Sequence, residues 1–205
     1  MSNLAARAAP RSLTQIRQIA CTLRAELGLR PDEPVPVAAL LEFALPKMLP
    51  NYVLEVKSKA EMGDDHGLAQ PDLDYIALRE DVYLGLVRGD GRDRFTGVHE
   101  LGHLILHQRE NLRFARPGAI PGPSGGGGSK LTHPEWQANT FAAEFLMDHR
   151  ACGGATEDPV VLCSRFGVSI SAARKRLLLL HREELVLNEN ADLDRSRVRA
   201  RGPNR

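Results

Sequence analysis

The chain has 205 residues and a mass of 22.5 kDa, enough for one full domain with a small appendage. Hydrophobic residues make up 42% and charged residues 26%, which suits a globular protein with a sizeable core and excludes fibrous classes. The 27 Lys and Arg nearly cancel the 26 Asp and Glu, so a net charge of +1 leaves no global field to recruit nucleic acid or an anionic membrane.

Residues 1–11 read as a flexible N-terminal arm. The first 25 residues contain Arg7, Arg11, Arg17 and Arg24 and no acid or unbroken apolar segment, so they do not resemble a secretory signal. Ser12 to Gln15 has capping-box spacing, and Ile16, Ile19, Ala20, Leu23 and Leu27 follow at helical spacing until Gly28 stops the helix. Val37 to Leu45 suggests a second helix ending before Pro46. The period then changes. Tyr52 to Lys57 alternates as a strand, Gly67 to Gln70 is short and extended, Pro71 to Asp74 is a turn, and Tyr75 to Arg79 is another strand. A small antiparallel sheet is expected from them.

Asp81 to Val87 reads as helix, Gly89 and Gly91 break it, and a longer helix is predicted from about Asp93 to His107. The Gly-rich stretch at 116–130 has the composition of a flexible loop. Helices resume at Pro134 to Met147 and Asp158 to His181. Residues 12–150 thus form the main domain, 151–187 a C-terminal helical segment, and 188–205 a basic tail expected to be disordered. Cys21, Cys152 and Cys163 are odd in number and far apart, which fits a reducing cytoplasm and argues against disulfides or a cysteine zinc site. No apolar run reaches bilayer-spanning length.

The chemistry concentrates in His99-Glu100-Leu101-Gly102-His103. Residues four apart share a helix face, so both histidines can aim a ring nitrogen at one ion. Glu100, rotated by about 100°, cannot join them but can reach a water bound to that ion, as a general base must. His107 lies about 12 Å along the axis from His99, too far for the same ion, so it suits a supporting role behind the ligands. A hydrolytic zinc site wants a third protein ligand. The helix after the loop offers Glu135 and Glu144. At 100° per residue Glu135 falls on the apolar stripe with Ala138, Ala142 and Leu146, whereas Glu144 falls opposite, with Gln137 and Thr140. A carboxylate on a buried stripe needs a charge partner, which favours Glu135. The competing reading is that Thr132 to Glu135 is a capping box. Asn139, one turn on, is a candidate for orienting a ligand.

The run Arg94-Phe-Thr-Gly-Val-His-Glu-Leu-Gly-His-Leu-Ile-Leu-His107, followed by Glu135-Trp-Gln-Ala-Asn-Thr-Phe-Ala-Ala-Glu-Phe-Leu-Met147, resembles the ImmA/IrrE metallopeptidase family. The resemblance covers roughly residues 50 to 180. It implies an α+β, zincin-like fold with a small antiparallel sheet, an HExxH helix and a helical C-terminal segment. It further implies one zinc ion held by His99, His103 and Glu135, with Glu100 catalytic. Gly97, Asp148 and the Gly-rich insertion depart from the family pattern, but none removes a chemical group. Amide hydrolysis at zinc calls for an oxyanion donor, for which Tyr75, His66 and His133 are candidates.

By family analogy the protein would be a cytoplasmic endopeptidase that cuts a helix-turn-helix transcriptional repressor, in a mobile-element or stress-response setting. The C-terminal segment carries the competing reading. Asp158 to Leu177 has the pattern of helix, Gly turn, helix, with Arg174, Lys175 and Arg176 on or beside an exposed face, as in a DNA-reading helix. A zinc-containing regulator without proteolytic activity would act through these helices. Leu177 to Leu180 is apolar enough to favour instead a hairpin packed on the core.

Overall fold

The chain's computed structural model describes residues 8–107, 130–153 and 156–200, with side chains described except at 130 and 186–200. Helix α1, Leu13–Glu26, begins with the expected box: Ser12 Oγ accepts from the Gln15 N–H at 3.2 Å and Gln15 Oε1 from the Ser12 N–H at 2.8 Å. Its Ile16, Ala20 and Leu23 are fully buried. Helix α2, Val37–Ala39, runs through a π-helical stretch, Leu40–Ala44, into α3, Leu45–Met48. The helix therefore passes Pro46 rather than stopping before it. Pro46 lies in the first turn after the π stretch, where a missing N–H costs little.

Strand β1, Val53–Lys57, is followed by the short helix α4, Lys59–Met62, then β2, Gly67–Gln70. A 3-10 turn, Pro71–Leu73, closes on Asp74 in the left-handed region, φ 50°, and leads into β3, Tyr75–Arg79. The sheet order is β1-β3-β2, with β2 antiparallel to β3 but β1 parallel to it. The expected antiparallel sheet is therefore mixed. Alternating hydrophobicity marks a strand but carries no information about its direction. β3 is central and buried from Ile76 to Arg79, leaving β1 and β2 as the edges.

Helix α5, Glu80–Arg88, ends on Gly89 in the left-handed region, and α6, Gly91–His107, crosses the middle of the domain. A 3-10 turn at Lys130–Thr132 precedes α7, Pro134–Leu146. Helices α6 and α7 meet at Gly102, where a Cβ would stand 3.1 Å from Ala138 Cα. Gly97, one of the departures from the family pattern, faces Leu86, whose Cδ1 would lie 2.7 Å from an added Cβ. Around them Val98, Leu101, Leu104, Phe141, Ala142 and Phe145 are fully buried.

Helices α8, Pro159–Phe166, and α9, Ile170–Ala200, turn through Gly167 at φ 61°. They are docked by buried guanidiniums. Arg94 donates to Gly167 O at 2.6 Å and Val35 O at 2.7 Å, and Arg176 donates to both Glu144 oxygens at 2.5 and 2.7 Å. α9 continues past His181 to Ala200, so the stretch expected to be a disordered tail from 188 is helical as far as that residue. Most of the 116–130 loop and residues 201–205 lie outside the described residues. The end of the expected flexible arm is tied down, because the Ala8 and Arg11 N–H groups donate to Thr132 O and Leu131 O at 3.1 Å each. Among the described residues, no helix is long and apolar enough to cross a membrane.

Candidate metal centre

One turn of α6 carries His99 and His103, and the first turn of α7 carries Glu135. Glu135 Oε2 lies 3.3 Å from His99 Nε2, its Oε1 lies 3.2 Å from His103 Nε2, and the two imidazole nitrogens are 3.0 Å apart. Ligand atoms arranged tetrahedrally at zinc distances of about 2.0–2.2 Å are separated by about 3.3 Å. The donor set, two imidazoles and one carboxylate, and its spacing fit zinc. Burial lowers the proton affinity of His99, His103 and His107, and for His103 the neighbouring His99 adds to the effect. Neutral imidazoles are the form that binds a metal.

Glu135 is reached by a different route from the helical-face reading. Its side chain is 58% exposed, not buried, because it sits at the open end of α7, beyond the core its stripe enters at Ala138. Glu144 is the buried carboxylate. Arg176 and Arg17, from α9 and α1, hold it with hydrogen bonds that lower its pKa although burial alone would raise it. A helix packed on both sides buries both faces, and Gln137, expected opposite the core, is fully buried too. Glu135 does not form a capping box, since the N-cap of α7 is His133 and makes no side-chain cap bond.

Glu100 projects from the same helix toward β2. It is 8% exposed, and its pKa is raised to about 7, first by burial, then by the charges of Glu135 and Asp65. Gly67 is in direct contact with it, since a Cβ there would stand 2.6 Å from Glu100 Cγ and 2.7 Å from Oε1. The Arg79 N–H donates to His66 O, which places His66, Leu68 and Gln70 in the bonded positions of the β2–β3 ladder. Gly67 and Ala69 therefore turn their polar backbone groups away from β3, and the Ala69 N–H faces Glu100, lowering its pKa against the effect of burial. Sequence reasoning missed Gly67 and Ala69. A glycine opening a strand was the one available signal.

The remaining candidates separate. His107 stands behind His103, Nδ1 to Nδ1 at 3.1 Å. Asn139 donates to Glu135 O at 2.7 Å and lies near His99, whose pKa it raises against the effect of burial. Of the three oxyanion candidates, Tyr75 donates its hydroxyl to Glu55 at 2.5 Å and His66 Nδ1 contacts Arg79 at 3.1 Å, so both are engaged at the sheet. His133 shares a helix start with Glu135. Asp148 is buried and caps the turn at His149–Ala151. Cys21, Asp148 and His149 also bring ligand-type atoms within 4.8 Å, but Arg150 grips both Asp148 oxygens at 3.0 and 2.6 Å and Arg24 lies 3.7 Å away. Two guanidiniums already neutralise that carboxylate, and a further cation would be repelled. Arg176, read as a potential DNA contact, is 2% exposed and spent on Glu144 and Met147 O, while Arg174 and Lys175 remain exposed.

Residues 52–178 match the family model Peptidase_M78, described as the IrrE N-terminal-like domain. The chain belongs to this family. The match spans β1 to α9, taking in every residue of the centre. Metallopeptidases of this family imply a metal ion, typically zinc, consistent with the ligand groups found. Among curated proteins, none matches the chain.

Proposed function

We propose that the protein is a zinc-dependent endopeptidase in which His99, His103 and Glu135 hold the ion and Glu100 is the catalytic base. The observation that carries this reading is the convergence of those three donors beside a buried carboxylate of raised pKa. Zinc held there would polarise the scissile carbonyl and acidify a water. Glu100, in contact with Gly67, would serve as the base that accepts a water proton and passes it to the leaving nitrogen. The carbonyl groups of Gly67 and Ala69, which face away from β3, suit strand addition by an extended peptide. The β2 edge can take this role and β3 cannot, because β3 is central.

The substrate we infer is a helix-turn-helix transcriptional repressor met in the cytoplasm, cut in an exposed linker or a locally unfolding helix to relieve repression. A cleft of about 720 Å³ runs from Asn139 and Phe95 past Trp136 to Lys175 on α9. It contains no metal ligand, so it suits docking of the substrate away from the scissile bond. The burial of Arg176 counts against the DNA-binding alternative. Incubating the protein with the repressor encoded beside it, with and without chelator, tests the function. Cleavage that chelator and Glu100→Gln both abolish is expected. Chelator-insensitive cleavage, or none by the zinc-loaded protein, would contradict it.

A further inference from the structure

Gln137 is fully buried on α7, and its Nε2 donates to Ala9 O at 2.8 Å and Leu131 O at 2.6 Å. Carbonyl oxygens only accept, so these two contacts decide which way the amide points. The reverse orientation would press Oε1 against both carbonyls. Gln137 Oε1 therefore faces His107 Nε2 at 3.1 Å, and that ring nitrogen must carry a hydrogen. A neutral imidazole has one N–H, so His107 Nδ1 is an acceptor. It stands 3.1 Å from His103 Nδ1, which must donate. His103 is then left with no hydrogen on Nε2, the atom that faces Glu135 and His99.

We propose that the Ala9 and Leu131 carbonyls, acting through Gln137 and His107, hold His103 in the tautomer that presents a bare Nε2 and thereby set the affinity of the metal centre. Gln137 and His107 are positioning residues, and the segment before α1 is part of the device. Metal-ligating histidines commonly donate their second N–H to a carboxylate, carbonyl or water. Here a second imidazole takes that hydrogen, and its own orientation is dictated by backbone two links away. Because the chain of donors starts at two carbonyl groups, it favours this tautomer before any ion arrives, against the pull of the Glu135 carboxylate 3.2 Å from Nε2. The affinity half rests on the zinc reading above, whereas the tautomer half concerns the metal-free protein.

The test is a long-range proton–nitrogen correlation spectrum of the full-length, metal-free protein at alkaline pH. His103 is expected to carry its hydrogen on Nδ1 and His107 on Nε2. Gln137→Leu should mix both tautomers and weaken Zn²⁺ binding, measured against a chromophoric chelator, by about 10–100-fold. Gln137→Glu still accepts from His107, so it should keep both tautomers while repelling the Ala9 and Leu131 carbonyls. A hydrogen on Nε2 of wild-type His103 would overturn the proposal, and that spectrum decides even if Gln137→Leu fails to fold. Unchanged tautomers and unchanged Zn²⁺ affinity in a folded Gln137→Leu would overturn it as well. Wild-type protein with these tautomers that takes up no Zn²⁺ would sink the zinc reading and the affinity half, and support the tautomer half.

Discussion

Gly67→Ala separates catalysis from metal binding. The added Cβ would stand 2.6 Å from Glu100 Cγ and 2.9 Å from Cδ, against ordinary carbon contacts of about 3.5–4.0 Å. Glu100 must therefore move by about 1 Å. Because the atoms met belong to the outer part of a side chain, the fold tolerates that movement, and the left-handed backbone region that would penalise alanine is not occupied at this position. A misplacement of about 1 Å at a reacting group costs on the order of 100-fold in rate, or about 2.7 kcal/mol in the barrier. Glu100 contributes no donor to the His99, His103 and Glu135 cluster, so zinc content should not change. The assay is kcat/KM on the cleaved repressor, with zinc stoichiometry measured on the same sample. Full activity at full zinc content would refute the placement of Glu100 as base against β2. Loss of zinc would show that β2 supports the ligands themselves.

Glu135→Ala should abolish tight zinc binding with little change in the stability of the metal-free fold, whereas Glu144→Ala should leave Arg176 buried and unpaired and cost about 3–5 kcal/mol in denaturant unfolding. The reverse pattern would exchange their roles. The Glu100 pKa, raised to about 7, means that the metal-free protein is destabilised as pH rises from the ordinary carboxylate range through 7, because folding then buries a charge. Metal-free Glu100→Gln should accordingly be more stable than wild type at pH ~8, by on the order of 3 kcal/mol, and no more stable near pH ~4. Equal stability at both pH values would show that Glu100 is not held in a desolvated site. Proteolysis should be narrow, with the neighbouring repressor cut and unfolded casein largely spared. Zinc-dependent digestion of casein without cutting of the repressor would point to a general peptidase.

Much of this was readable in the chain because short-range rules govern it. The Ser12–Gln15 box, the α6 register that aligns His99 with His103, and the Gly28 and Gly89 stops all depend on residues within one turn of each other. What the sequence hid depends on packing partners. Period-2 alternation could not orient β1 relative to β3. A single-faced view of α7 turned Glu135 toward α6, where it lies beside His99 and His103, but misjudged burial, since α1 and α9 cover the face that holds Glu144. Arg176 looks like a surface cation until that carboxylate is brought to it from 32 residues away. Gln137 acquires meaning only once Ala9, from 128 residues away, lies against it.

The central claim is that one ion sits among His99, His103 and Glu135. Anomalous diffraction at the zinc edge, from crystals of the zinc-loaded protein, tests it most directly. A single peak about 2.0–2.2 Å from His99 Nε2, His103 Nε2 and a Glu135 oxygen is the predicted result. A peak at Cys21, Asp148 and His149 instead, or none near α6, would contradict it.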